Sequence, residues 1–181
     1  MLIDHTPASC DQDHIDIVIS SRASTPDRTA FIMGESKDDP FAVMEQDGFS
    51  LVHYGATVIA MPCNTAHWFY DELCRHTDLP VLHMLRLTAD SLERAGIGTV
   101  GLLATDGTIR TGIYETLLAD RGIKVVKPDA VGQRRVMSAI YDGVKAGNLA
   151  AIDIPALRQT LDAMLEQAYQ WPRLSVRHNK P

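Results

Sequence analysis

Short apolar runs alternate with amphipathic stretches along this chain, and that alternation most narrows its choice of fold. Apolar runs at residues 14–20, 57–61, 81–84, 99–104 and 124–127 read as strands, and amphipathic stretches at 40–54, 66–76, 88–95, 109–120, 131–145 and 154–167 as helices. Gly55, Gly96, Gly122 and Gly147 fall near helix ends, and Pro40, Pro80 and Pro128 at boundaries. Strands that alternate with helices pair in parallel through right-handed crossovers, which gives an α/β sheet covered on its faces. Sites in such sheets lie beyond the carboxyl ends of the strands. That rule singles out Cys63 and Thr105, each at the end of an expected strand.

With 181 residues, 45% hydrophobic and 22% charged, the chain is ordinary globular material, enough for one domain or two small lobes. A net charge of -6 leaves no basic footprint for nucleic acid, and Arg173, Arg177 and Lys180 read as a solvated end. No apolar run of membrane length and no signal-peptide pattern occurs, so no membrane partner is expected. The three cysteines, Cys10, Cys63 and Cys74, cannot all pair with one another, and a reducing cytoplasm is the simplest location. Cys63 and His67 stand at helical i,i+4 spacing, but a structural zinc site needs four ligands and no Cys-x-x-Cys spacing occurs, so no metal is expected.

The segment Met61-Pro62-Cys63-Asn64-Thr65-Ala66-His67 puts a thiol where an apolar strand gives way to a helix. Asn64 or Thr65 is suited to cap that helix. The free NH groups and positive dipole end of a helix start favour anions, thiolates and carboxylates alike. The segment therefore offers a nucleophile or base beside an anion cradle. Other thiol chemistries fit less well. A Cys-x5-Arg phosphatase loop needs arginine at position 69, where Phe69 stands, and the Gly-rich loops of nucleotide-binding proteins are absent. A Cys-His protease is the runner-up, disfavoured by the strand-to-helix setting.

Gly55-Ala56-Thr57-Val58-Ile59-Ala60 followed by the thiol segment resembles the aspartate racemase branch of the aspartate/glutamate racemase family. Similar family patterns are Asp11-Gln12-Asp13-His14, Pro26-Asp27-Arg28-Thr29, Leu102-Leu103-Ala104-Thr105-Asp106-Gly107-Thr108 and Ile140-Tyr141-Asp142-Gly143-Val144-Lys145-Ala146-Gly147, in the family's order. The resemblance implies an α/β fold of two similar lobes, parallel sheets flanked by helices, with the active site between them. It places the N-terminal lobe at residues 1–84, the C-terminal lobe at 85–168 and a divergent tail at 169–181. Family members open with a strand and a Gly-Gly-Met-Gly-Pro turn and carry a second catalytic cysteine in a Gly-Cys-Thr-Glu segment. Neither has a counterpart here, so both lobes are expected to be incomplete, with an exposed sheet edge or apolar surface that favours a homodimer.

Racemisation removes a weakly acidic Cα proton and returns one to the opposite face of a planar carbanion. In the resembled family paired cysteines do this without a cofactor, so fixed donors must stabilise the enolate-like charge. Cys63 matches the first thiol; a free cysteine is otherwise usually a buried small hydrophobe. Asn64, Thr65 and Ala66 are expected to bind the substrate carboxylate through side chains and backbone NH groups, a role that can coexist with capping. By resemblance Arg28 grips a side-chain carboxylate and Lys145 adds a cation from the second lobe; otherwise they read as a surface charge and as dipole compensation. Thr105 is a weaker candidate. His67 reads equally as a residue that tunes the thiol and as a buried structural histidine. The implied activity is cofactor-independent racemisation of aspartate or a related acidic amino acid; the alternative is a non-racemising relative that binds dicarboxylates.

Overall fold

Two parallel strand pairs organise the chain. β1 (Ile59–Ala60) pairs with β2 (Val81–Leu82), Ile59 opposite Val81, and β3 (Thr99–Gly101) pairs with β4 (Lys124–Val126), Thr99 opposite Lys124. The computed structural model describes residues 3–170. The tail expected over residues 169–181, with Arg173, Arg177 and Lys180, lies from residue 171 onward outside the described residues.

Helices separate the strands as the alternation requires: α1 (Arg28–Met33), α2 (Phe41–His53), α3 (Tyr70–Arg75), α4 (Met84–Arg94), α5 (Asp106–Thr111), α6 (Ile113–Ala119), α7 (Ala130–Ser138) and α8 (Ile154–Gln170). The architecture is α/β, mostly helical, with short parallel sheets. Phe41, Phe69, Leu73, Ile59 and Val81 form one buried cluster, which sets α2 and α3 against the first strand pair. Ala89, Leu118 and Ile123 form a second, with Val100, Val125 and Tyr114 packed against it. Each cluster is what a short amphipathic helix needs to be stable, since few of these helices are long enough to hold alone.

Three expectations are corrected. Residues 14–20 form no strand among the described residues. An isolated extended run gains nothing without a ladder partner; this one is tied instead by Ser20 Oγ and Arg22 Nε, which donate to Asp47 Oδ1 on α2 at 2.9 and 3.0 Å. The helix expected over 109–120 is two helices, α5 and α6, because Gly112 takes a left-handed conformation at φ 61° between them. The stretch 131–145 begins as α7 and continues as a π-helix (Ala139–Lys145). Among the described residues no helix is long and apolar enough to cross a membrane.

Candidate active site

Cys63 lies between β1 and a 3-10 turn (Thr65–Phe69) that runs directly into α3. Asn64 was expected to cap this helix, as was Thr65, but Asn64 has αR dihedrals and makes no side-chain cap. Both side chains are drawn off to the other half of the molecule. The NH groups of Thr65 and Ala66 precede the first backbone donor of the turn, His67 N to Asn64 O at 3.1 Å.

His67 fixes the loop from behind. Met84 NH donates to its Nε2 at 3.1 Å, so the ring hydrogen sits on Nδ1, which donates to the Cys63 carbonyl at 2.8 Å. Both ring nitrogens are thus taken by backbone groups of two different elements. Burial pushes the His67 pKa below its ordinary value of 6.5, against the opposing effect of the bonded carbonyl. His83, with its ring centroid 5.0 Å away, is also depressed, by burial first and then by Arg86 and His67. Because the folded values lie below the unfolded ones, the unfolded chain takes up these protons more readily. Stability is complete above about pH 6.5 and is lost as pH falls from there toward the folded pKa values. Thermal unfolding followed by circular dichroism should show Tm falling between about pH 7 and pH 5, and His67→Gln should flatten that slope.

Four threonine hydroxyls meet beside the thiol loop. Thr29 Oγ1 of α1 donates to Thr105 Oγ1 at 3.3 Å; Thr65 Oγ1 lies 3.2 Å from Thr105 Oγ1 and 2.9 Å from Thr108 Oγ1; Thr105 and Thr108 are 3.4 Å apart. Thr105 also caps α5, its Oγ1 accepting from Thr108 N at 3.5 Å. Thr29 and Thr108 are buried, whereas Thr65 and Thr105 are partly exposed. The approach of α1 to α5 depends on Gly107, where a Cβ would come within 3.0 Å of Thr29 Cα.

A second tie crosses between the halves at Asn64. Tyr114 of α6 donates its hydroxyl to Asn64 Oδ1 at 2.6 Å. With the oxygen so engaged, the amide presents Nδ2, a donor only, in the other direction. Burial raises the Tyr114 pKa, against an opposing hydrogen bond to Thr88, so the phenol keeps the proton it donates.

Lys145 pairs with Asp27, while Arg28 turns back on its own chain. Arg28 Nη1 donates back to the Pro26 carbonyl at 2.9 Å and the Thr25 carbonyl at 3.4 Å. Lys145 Nζ is 3.8 Å from Asp27 Oδ2 and 3.9 Å from the Tyr141 ring centroid. Tyr141 OH donates to the same Oδ2 at 3.3 Å, and Asp27 Oδ1 caps α1 through Ala30 N at 2.9 Å. Burial works to raise the Asp27 pKa, but the Ala30 NH, Lys145, the Thr29 NH and Arg28 outweigh it and hold the carboxyl below its ordinary value. A cavity of about 260 Å³ opens here, lined among others by Asp27, Thr29, Asp106, Met137 and Tyr141. Cys63 is not on its wall; Thr29 is shared between the cavity and the hydroxyl cluster.

Of the residues singled out in the sequence, Thr65 and Thr105 are in direct contact, and Asn64 joins them through its neighbour's loop. Ala66 is buried behind them. Lys145 forms a separate pair with Asp27, Arg28 folds back onto the Thr25 and Pro26 carbonyls, and Thr29, the residue after Arg28, joins the hydroxyls. Thr29, Thr108, Tyr114, Asp27 and Tyr141 were given no role by sequence reasoning, although all but Tyr114 lie inside the family-like segments. Among the described residues no three His, Cys, Asp or Glu side chains gather to hold a metal ion.

Known proteins give this geometry a setting. The aspartate racemase of Picrophilus torridus superposes with a TM-score of 0.79 at 29% sequence identity, over 91% of this chain and 68% of that one. The broad specificity amino-acid racemase RacX of Bacillus subtilis is 35% identical over 75 residues, 41% of this chain. The glutamate racemase of Deinococcus radiodurans is 33% identical over 121 residues, 64% of this chain. These two matches take in 33% and 38% of the relatives' own lengths. The Asp/Glu/hydantoin racemase family model matches residues 1–170, and the chain belongs to that family.

Proposed function

We propose that the protein is a cofactor-independent racemase of an acidic amino acid, aspartate or a related dicarboxylate, with Cys63 as the base for one face of Cα. The observation that carries this reading is the donor array that follows the thiol in the chain, the Asn64 amide and the Thr65 hydroxyl, each held from the other half: Asn64 by Tyr114 and Thr65 by its contact with Thr105. Donors fixed before substrate arrives stabilise the charge that develops on the carboxylate as Cα loses its proton, without reorganising during the reaction. Thr65 and Ala66 NH groups add to the array. Lys145 and Arg28 take the side-chain carboxylate. On this reading the lobes divide between residues 84 and 85, and the free state of Cys10, Cys63 and Cys74 supports a cytoplasmic location.

A second reading is a relative that binds dicarboxylates without inverting them. It is favoured by the placing of the other two thiols. Cys74 packs against the first core cluster, and Cys10 is exposed near the short turn at Asp11–Asp13. Chiral chromatography of L-aspartate incubated with the protein, with the Cα hydrogen followed by NMR, separates the two readings.

Association into homodimers belongs to the same proposal. Ile15, Ile17, Val18 and Ile19 are exposed within one short run, Ile19 at 80% exposure. Exposed apolar side chains gathered in this way favour contact with another chain. Sedimentation velocity at micromolar concentration should show a dimer; a single monomer boundary would remove this part of the proposal.

A further inference from the structure

The hydrogen-bond capacities of the threonine cluster decide where its protons go. Thr105 Oγ1 accepts from Thr29 Oγ1 at 3.3 Å and from Thr108 N at 3.5 Å, which uses both lone pairs. Its own proton must then be given to Thr65 or Thr108. Between those two hydroxyls, 2.9 Å apart, only one proton can lie on the line. A carboxylate at Thr65 has no proton to offer and must receive one, and a hydroxyl has only one to give. With Thr65 donating outward, the 2.9 Å contact survives only if Thr108 donates to Thr65. Thr108 is 1% exposed, so water does not compete for its proton.

We propose that Thr108 is a positioning residue for the carboxylate site: its buried hydroxyl donates to Thr65 and thereby turns the single Thr65 proton toward the bound anion. This rests on the functional reading above. The cluster is directed, with Thr29 feeding Thr105, Thr105 feeding Thr65 or Thr108, Thr108 feeding Thr65, and Thr65 facing the carboxylate. Each donated bond polarises the next, so the outward hydroxyl is a stronger donor than an isolated threonine. The two buried hydroxyls serve the two partly exposed ones, and one chain of contacts spans α1, the thiol loop and α5. No step moves a proton through the chain; it sets direction and donor strength only.

The test is a calorimetric titration of L-aspartate into the full chain for wild type, Thr108→Val, Thr108→Ser, Thr65→Val and the Thr65→Val/Thr108→Val pair, each with its Tm recorded. Thr108→Val should weaken aspartate binding about threefold to tenfold, the range expected for one lost hydrogen bond. Thr108→Ser should return it to within about twofold of wild type. In the Thr65→Val background the Thr108→Val change should cost nothing further, because the proton it directs is gone. Should Thr108→Val fail to fold, Thr108→Ala takes its place. Equal losses in both backgrounds, or a serine variant as weak as the valine one, would overturn the proposal while leaving the racemase reading intact. A wild-type chain that binds no aspartate would remove the functional reading, and this inference with it.

Discussion

L-Aspartate incubated with the protein in deuterium oxide is expected to take up deuterium at Cα faster than it becomes D-aspartate, by about 10²-fold to 10⁴-fold. Exchange needs one base on one face. Inversion needs that base and an acid on the opposite face, and the loss of one member of a proton-transfer pair forfeits a factor of this size. Cys63 is partly exposed and immediately precedes Asn64 and Thr65 in the chain. Cys74 packs against the first core cluster and Cys10 is exposed near Asp11–Asp13, and on this account neither thiol serves as the opposing acid. NMR of the α-proton signal and chiral chromatography of the same samples give the two rates. Inversion that keeps pace with exchange would mean that another group, or a second protomer, supplies the missing acid.

Lys145→Met is expected to cost aspartate about tenfold in affinity while changing that for asparagine by no more than about twofold. A charge-assisted bond to the side-chain carboxylate is worth more than this when buried; Lys145 is 44% exposed, and solvent screens part of it. A second effect adds to the first. Lys145 lies 3.8 Å from Asp27 Oδ2, and without it that carboxylate faces the ligand's carboxylate with less compensation. The asparagine comparison separates this from structure, because asparagine keeps the α-carboxylate and loses only the side-chain charge. If Lys145 serves Asp27 alone, the substitution lowers Tm and leaves the preference for aspartate over asparagine unchanged.

The parts of the fold that follow local rules were legible in the sequence. Gly55, Gly96, Gly122 and Gly147, read as helix ends, all take positive φ. The runs at 57–61, 81–84, 99–104 and 124–127 each contain a strand, though of two or three residues only. Strand length was overestimated because an apolar run marks burial, whereas a strand lasts only as far as its ladder partner. The same reason removed the strand from 14–20. Gly112 passed unnoticed because a single glycine in a helical pattern is tolerated, and only its φ of 61° shows that it breaks one.

The candidate site is a reading of residues that are neighbours in sequence. Cys63, Asn64 and Thr65 were found together, at a strand-to-helix junction. What joins them to the rest is long-range: Thr65 to Thr105 spans 40 positions, Thr29 to Thr105 spans 76, and Asn64 to Tyr114 spans 50. No spacing rule connects such pairs. Asn64 stands at the N-cap position, but the side-chain cap that local hydrogen bonding favours for this residue type is absent because Tyr114 engages its oxygen. Tyr114 reads in the sequence as one more apolar position of a helix, and its hydroxyl matters only because the second core holds the ring where Asn64 can reach it.

The central claim is that Cys63 transfers the Cα proton. Its most direct test is the initial rate of α-deuteration of L-aspartate by wild type and by Cys63→Ala, matched for Tm and for aspartate affinity. Alanine keeps the loop backbone, which His67 holds through the residue 63 carbonyl and not through the thiol. The variant should therefore fold and bind, and its exchange rate should fall by at least about 10²-fold. A Cys63→Ala protein that exchanges the α-hydrogen at the wild-type rate would contradict the claim.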